Sequence, residues 1–271
     1  MTTPSTYRTP RPGAPVMPGV PGMRQPGEQE QAAPVRPRKA RPGFGLRGPR
    51  RDVHGLSARQ LDSMSLPLGD DGVVAGIDEG GNPAVLGFFR PTQLDVVVIG
   101  SVWTAQVLAL RAVGTGARVA VESARPQVWT PLAQAAGGGQ QCMTVHDVRQ
   151  LPSQGPTVSS PVLVVRDCGT YPPRSRLAKA PWQAVVTLLP FLGPQAPRLL
   201  REAGLIGVQR VSPQEAEVLT KVLRLTREEA AALPALGDGV MLWGTPQHRQ
   251  FVLLQPTDAE VGLLGEARRI D

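Results

Sequence analysis

Cysteine is nearly absent: the chain has two, Cys142 and Cys168, in 271 residues. They form no C-x-x-C pair, so neither a disulfide framework nor a thiolate zinc site is expected, and a reducing compartment fits. Histidine is equally sparse. His54, His146 and His248 lie far apart, without the spacing of a metal site. Long apolar runs are also missing. None approaches the roughly 18 residues needed to cross a bilayer, and the N-terminus lacks the apolar stretch of a secretory signal. A cytoplasmic protein is expected, one that meets a membrane only through its surface or a partner. No carboxylate pair stands out for acid–base work. Glu228 and Glu229 read as the first turn of a helix.

Acidic residues are scarce in one region only. Residues 1–51 carry ten Arg and Lys against Glu28 and Glu30, with eleven prolines; the other 220 residues carry 19 bases and 20 acids. The high isoelectric point therefore belongs to the N-terminal segment and not to a basic face on a folded domain. Residues 1–55 show no apolar period and read as a disordered Pro/Arg-rich tail. Residues 56–271 read as a single α/β domain. The basic run "RPRKARPGFGLRGPRR", Arg36 to Arg51, is read first as a solvated tail. A second reading is electrostatic contact with an anionic membrane face or an acidic partner. Nucleic acid is disfavoured, because Phe44 is the one aromatic among these cations.

What is present is alternation. "VVAGI" (73–77) and "AVLGFF" (84–89) flank a Gly-rich polar turn and predict a β-hairpin. "DVVVIG" (95–100) reads as a strand buried on both faces. A helix follows over 101–113 with Ser101 as its N-cap, and "ARVAVES" (117–123) returns as a strand. Further strands are expected at 142–147, 161–167, 183–190 and 205–212, with short helices at 130–136 and 196–204. Ser212 with Glu215, and Thr226 with Glu229, have the spacing of capping boxes before two more helices. "GVMLWG" and "QFVLLQ" suggest a closing hairpin. The pattern predicts a mostly parallel sheet flanked by helices, with β-hairpins at both ends.

The stretch "VVVIGSVWTAQV" (96–107) poses the functional question. An apolar strand ends at Gly100 and a helix follows, as in a phosphate-binding G-x-x-x-x-G-K-[ST] loop. The run from Gly76 to Ser123, the later "VLVVRDCG" (162–169), "TLLP" (187–190) and the pattern from Ile206 to Leu242 together resemble a RecA-like core over roughly residues 72–255. The group resembled is that of the DNA-translocase, type IV coupling-protein and type VII secretion ATPases. The resemblance implies a degenerate nucleotide site at Gly100, Ser101, Trp103, Thr104, Gln106 and Asp167. Ala105 replaces the second glycine, Gln106 the lysine and Val107 the hydroxyl residue. Trp103 brings a large ring into the loop, and Arg166 stands where a first acid would favour Mg²⁺. These losses remove the groups that hold a triphosphate and its metal. No cofactor, metal or catalytic residue is expected. An unmodified strand–helix turn is the competing reading of the same residues.

Other chemistry is thinner. Cys168, His146 and Asp147 supply a thiol, a base and an orienting acid on strand ends, but a small buried cysteine and an unrelated histidine is the favoured account. Arg174, Arg176 and Lys179 lie in a Pro-rich basic loop that could meet an anion or a partner. The resemblance therefore implies a non-catalytic interaction or scaffold protein, accessory to an actinobacterial secretion or translocation machine. Its partner would be a secretion ATPase or that machine's substrates. The alternative is an α/β enzyme or nucleotide-binding protein with an atypical site.

Overall fold

In the computed structural model, described over residues 72–170 and 177–269, the apolar runs assemble into one ten-stranded sheet. The expected tail over 1–55, its basic run Arg36 to Arg51, and Arg174 and Arg176 lie outside the described residues; Lys179 is exposed. In chain order the strands are β1 (Val73–Asp78), β2 (Pro83–Leu86), β3 (Leu94–Ile99), β4 (Arg118–Ser123), β5 (Met143–Asp147), β6 (Val162–Asp167), β7 (Gln183–Leu189), β8 (Leu205–Val208), β9 (Val240–Gly244) and β10 (Arg249–Leu253). Across the sheet they run β2-β1-β10-β9-β8-β3-β7-β6-β4-β5.

The six strands from β8 to β5 pair in parallel, and β9, β10, β1 and β2 add an antiparallel wing. The two expected hairpins, β1–β2 and β9–β10, both belong to this wing. The strands expected at 95–100 and 161–167 share the sheet, but β7 pairs with each of them and lies between. The ends of β3 and β6 therefore face each other across one intervening strand.

Burial on both faces explains the continuous apolar runs. On β3, Val96 and Val98 pack into one core while Val97 and Ile99 pack into the other. The first face is covered by α1 (Val102–Gly114), and α2 (Pro126–Ala135) packs beside β5. Alpha1 is buried nearly all round, from Val102 to Ala109 and again at Ala112, as befits a helix between two layers. The second face is covered by α3 (Ala196–Glu202), α4 (Pro213–Leu223) and α5 (Arg227–Ala232), the last running into a 3₁₀ turn at Leu233–Ala235.

Both capping boxes form. The side chains of Ser212 and Thr226 accept from the N–H groups of Glu215 and Glu229, whose carboxylates return the bond. Two elements depart from the sequence reading. Alpha2 begins at Pro126 and not near 130, because a proline suits a first helical turn. The closing hairpin is followed by α6 (Asp258–Leu264), capped by a third box of Thr257 with Glu260.

Candidate functional site

The turn at Gly100 is short. Beta3 ends at Ile99 and α1 starts at Val102, so only Gly100 and Ser101 connect them. A phosphate-cradling loop needs the residues between its first glycine and its lysine to be loop. Here Trp103, Thr104 and Gln106 are already helical and buried. Ser101 caps the helix, its hydroxyl accepting from Thr104 N–H at 3.3 Å. Trp103 is fully buried and donates from Nε1 to Gly265 O at 3.0 Å. Gln106, at the lysine position, donates from Nε2 to Val128 O at 2.9 Å and so joins α1 to α2.

The backbone donor at this turn already has a partner. Ser101 N–H donates to Gln209 Oε1 at 2.7 Å, and Gln209 Nε2 donates onward to Asp238 O at 3.0 Å. Gln209 is fully buried, one residue past the end of β8. It also explains why residue 100 is glycine: a Cβ there would stand 2.6 Å from Gln209 Oε1. Sequence reading missed Gln209. The available signal was an amide inside the run expected as a strand at 205–212, because an amide buried among apolar neighbours needs partners.

At the end of β6, Asp167 is buried and closed in by side chains that the sequence reading did not single out. Arg125 binds it in two places, Nε to Oδ2 at 3.0 Å and Nη2 to Oδ1 at 3.1 Å. Trp129 Nε1 donates to Oδ2 at 2.8 Å, and Ser123 Oγ donates to the same oxygen at 3.2 Å. The network is tertiary. Ser123 ends β4, Arg125 precedes α2, and Trp129 is its fully buried core residue. Nothing in the spacing of these residues announces a shared partner some 40 positions away.

Arg166 faces the other way. Successive strand residues point to opposite faces, and Arg166 is in register with Glu122 on β4. Its Nε donates to Glu122 Oε2 at 2.6 Å, and Glu122 Oε1 accepts Arg149 N–H at 2.7 Å. The opposing charge read from sequence at Arg166 is thus paired with a buried glutamate on β4.

Between these strand ends lies a cleft of about 500 Å³, bordered by Gly100, Arg125, Asp167, Gly169, Pro190 and Arg269. Arg269 crosses the ends of β7 and β8, donating to Pro190 O and Arg210 O, both at 2.8 Å. The thiol constellation does not assemble: His146 bonds Thr144 Oγ1 at 3.0 Å, while Cys168 Sγ lies 3.7 Å from Glu122 O. Burial, with the Glu122 carboxylate adding to it, pushes the Cys168 thiol up to about 12. Such a thiol is no nucleophile at neutral pH. Among the described residues, no group of three or more metal-binding side chains forms, and no helix is long and apolar enough to cross a membrane.

No family model matches the chain, and no curated protein matches it in sequence. Solved structures match in shape. VirB4 of Thermoanaerobacter pseudethanolicus superposes with a TM-score of 0.50 at 10% identity, over 72% of this chain and 99% of that one. A protein described as an ATPase gives a TM-score of 0.44 at 17% identity, over 79% and 95% of the two chains. The genome packaging NTPase B204 from Sulfolobus turreted icosahedral virus 2, in complex with AMP, gives 0.42 at 10% identity, over 62% and 100%. The chain shares the α/β fold of VirB4, a large central sheet flanked by helices, as the order of its elements implied.

Proposed function

We propose that this protein is a non-catalytic interaction or scaffold subunit with a degenerate nucleotide site, accessory to a secretion or translocation ATPase. One observation carries the reading: polar groups at the positions where a motor would hold phosphate and metal are already bonded within the chain. The turn amide at Ser101 is bound by Gln209, and the Asp167 carboxylate is held by Arg125, Trp129 and Ser123. A triphosphate with Mg²⁺ needs a cation, a hydroxyl ligand and an available carboxylate together. Gln106 and Val107 supply neither of the first two, and Asp167 is already bound. What remains of a motor fold is a rigid body with surfaces, and a protein partner such as a secretion ATPase or its substrates suits it. The basic segment Arg36 to Arg51 adds a contact for an anionic membrane face or acidic partner, to be read as salt-dependent binding lost when residues 1–51 are deleted.

Calorimetry with ATP, ADP and GTP, with and without Mg²⁺, tests the site. No affinity in the micromolar range is expected. Mg²⁺-dependent binding that disappears in Asp167→Ala would overturn the reading. Gel filtration with a purified secretion ATPase of the same organism tests the partner: the two should co-migrate, and separate elution removes the accessory role.

A further inference from the structure

The second face of the sheet is incompletely covered. Helices α3 to α5 pack over β3, β7, β8 and β9. The outermost, α5 with its 3₁₀ turn, borders β10 through Ala232 and Leu236. Beyond it the antiparallel wing carries apolar side chains into the open: Leu253 on β10 is 44% exposed and Val74 on β1 is 45% exposed. Ile77, Leu236, Val240, Phe251 and Leu253 line a groove of about 490 Å³ there. Val240 and Phe251 also pack against the buried core of that face, so the groove floor is an extension of the core. Exposed apolar surface of this kind, continuous with a core and edged by charge, marks a protein interaction site more often than a chance patch.

The charge at the groove has one sign. Asp78 and Glu79, at the turn of the β1–β2 hairpin, border one end, and no cation is among the lining residues. The Asp78 carboxylate is fixed in place by Asn82 N–H at 2.7 Å and Gln250 Nε2 at 3.2 Å. Arg249, the nearest base on β10, is already bound to Glu229 at 3.1 Å.

We propose that this groove is a docking site for a cationic amphipathic helix of a partner protein. Such a helix would continue the layer begun by α3 to α5. Its apolar stripe would cover Phe251 and Leu253, and a Lys or Arg would reach Asp78 and Glu79. A helix fits because a sheet face left bare beside a helix layer is completed by another helix. The proposal does not depend on the state of the cleft at the ends of β3 and β6, whose lining shares no residue with the groove.

The probe is a capped Leu/Lys peptide of about four helical turns, with a Leu/Glu peptide of the same pattern as control. Both are titrated into the full chain at near-physiological salt. The Leu/Lys peptide should bind with a Kd on the order of 10 µM and the Leu/Glu peptide at least about tenfold more weakly. Leu253→Ser and Glu79→Lys alter exposed side chains, and each should weaken Leu/Lys binding by about tenfold with the circular dichroism spectrum unchanged. Equal binding of the two peptides, or binding indifferent to both substitutions, overturns the proposal. Sedimentation showing a dimer that Leu253→Ser dissolves would give the groove to a second copy of the chain and overturn it as well.

Discussion

Asp167 accepts four side-chain hydrogen bonds from three residues. Removing it strands the buried Trp129 N–H and takes the carboxylate from the Arg125 guanidinium, which costs about 3 kcal/mol. Asp167→Ala should therefore lower the urea midpoint of the ligand-free protein with little change in slope. An unaltered midpoint would mean that the carboxylate is not structural. Gly100 is sensitive for a different reason. A methyl group at 2.6 Å from Gln209 Oε1 must displace a buried amide that bonds both Ser101 and Asp238, so Gly100→Ala should cost about 1–3 kcal/mol. Cys168 is a third residue-scale test. Its thiol keeps its proton to about 12 when folded, whereas an unfolded thiol ionises near 8.5. A raised thiol pKa contributes nothing to the pH dependence below the unfolded value. As pH rises beyond that, the unfolded state is favoured. Stability should fall above about pH 8.5, less so in Cys168→Ala, and iodoacetamide at pH 8 should modify the folded thiol at least about tenfold more slowly than the unfolded one. Equal alkylation rates would contradict the burial argument.

Element by element, three of the four helices of the second half begin with a capping box, and the glutamates of those boxes share an electrostatic signature. Burial alone would raise Glu215, but the N–H groups of Leu192 and Ser212 outweigh it and hold the carboxyl below the usual range. Burial would likewise raise Glu260, where Arg111 outweighs it through bonds of 2.7 and 2.9 Å. The Thr226 N–H lowers Glu229. A carboxylate depressed in the folded state contributes stability above its unfolded pKa, near 4.3, and loses it as pH falls through the folded value. Denaturation midpoints should thus hold from pH 7 to about pH 5 and drop below about pH 4, with Glu260→Gln flattening the drop. Ser212→Ala should cost about 1 kcal/mol. The spacing S-x-x-E made two boxes legible in the sequence. Thr257 with Glu260 has the same spacing, yet α6 went unread because its seven residues offer little apolar period. Its role is tertiary: Glu260 joins it to Arg111, which also donates to the carbonyls of Val74, Ala75 and Gln255.

At the scale of the whole molecule, the proposed degenerate site predicts that the cleft at the ends of β3 and β6 takes up no nucleotide. A ligand that binds only the native state raises the melting temperature as its concentration exceeds Kd. Millimolar ATP with Mg²⁺ should leave the melting temperature unchanged, and Gln209→Ala, which releases the Ser101 amide, should not create a response. A shift of several degrees in the wild-type chain would show that the internal hydrogen bonds yield to phosphate. Binding is expected instead in the groove beside Leu253, whose lining is separate from that of the cleft.

The architecture was legible because it rests on local pattern. Runs such as "VVVIG" and "VLVV" are apolar throughout only if both faces are buried, and their alternation with helices leaves few arrangements besides a parallel sheet. The sequence by itself also removed the lysine and hydroxyl of a phosphate loop, since Gln106 and Val107 are read directly. What it did not determine are contacts whose partners lie far apart in the chain. Gln209 reaches Ser101 across 108 positions, and Trp103 reaches Gly265 across 162. Arg166 looked like a charge opposing a metal until the β4–β6 register placed Glu122 beside it. Hydrogen-bond geometry over such separations depends on strand order and register. Those are products of how the whole chain packs, so the internal bonds at the cleft and the exposed groove were decided only in the tertiary structure.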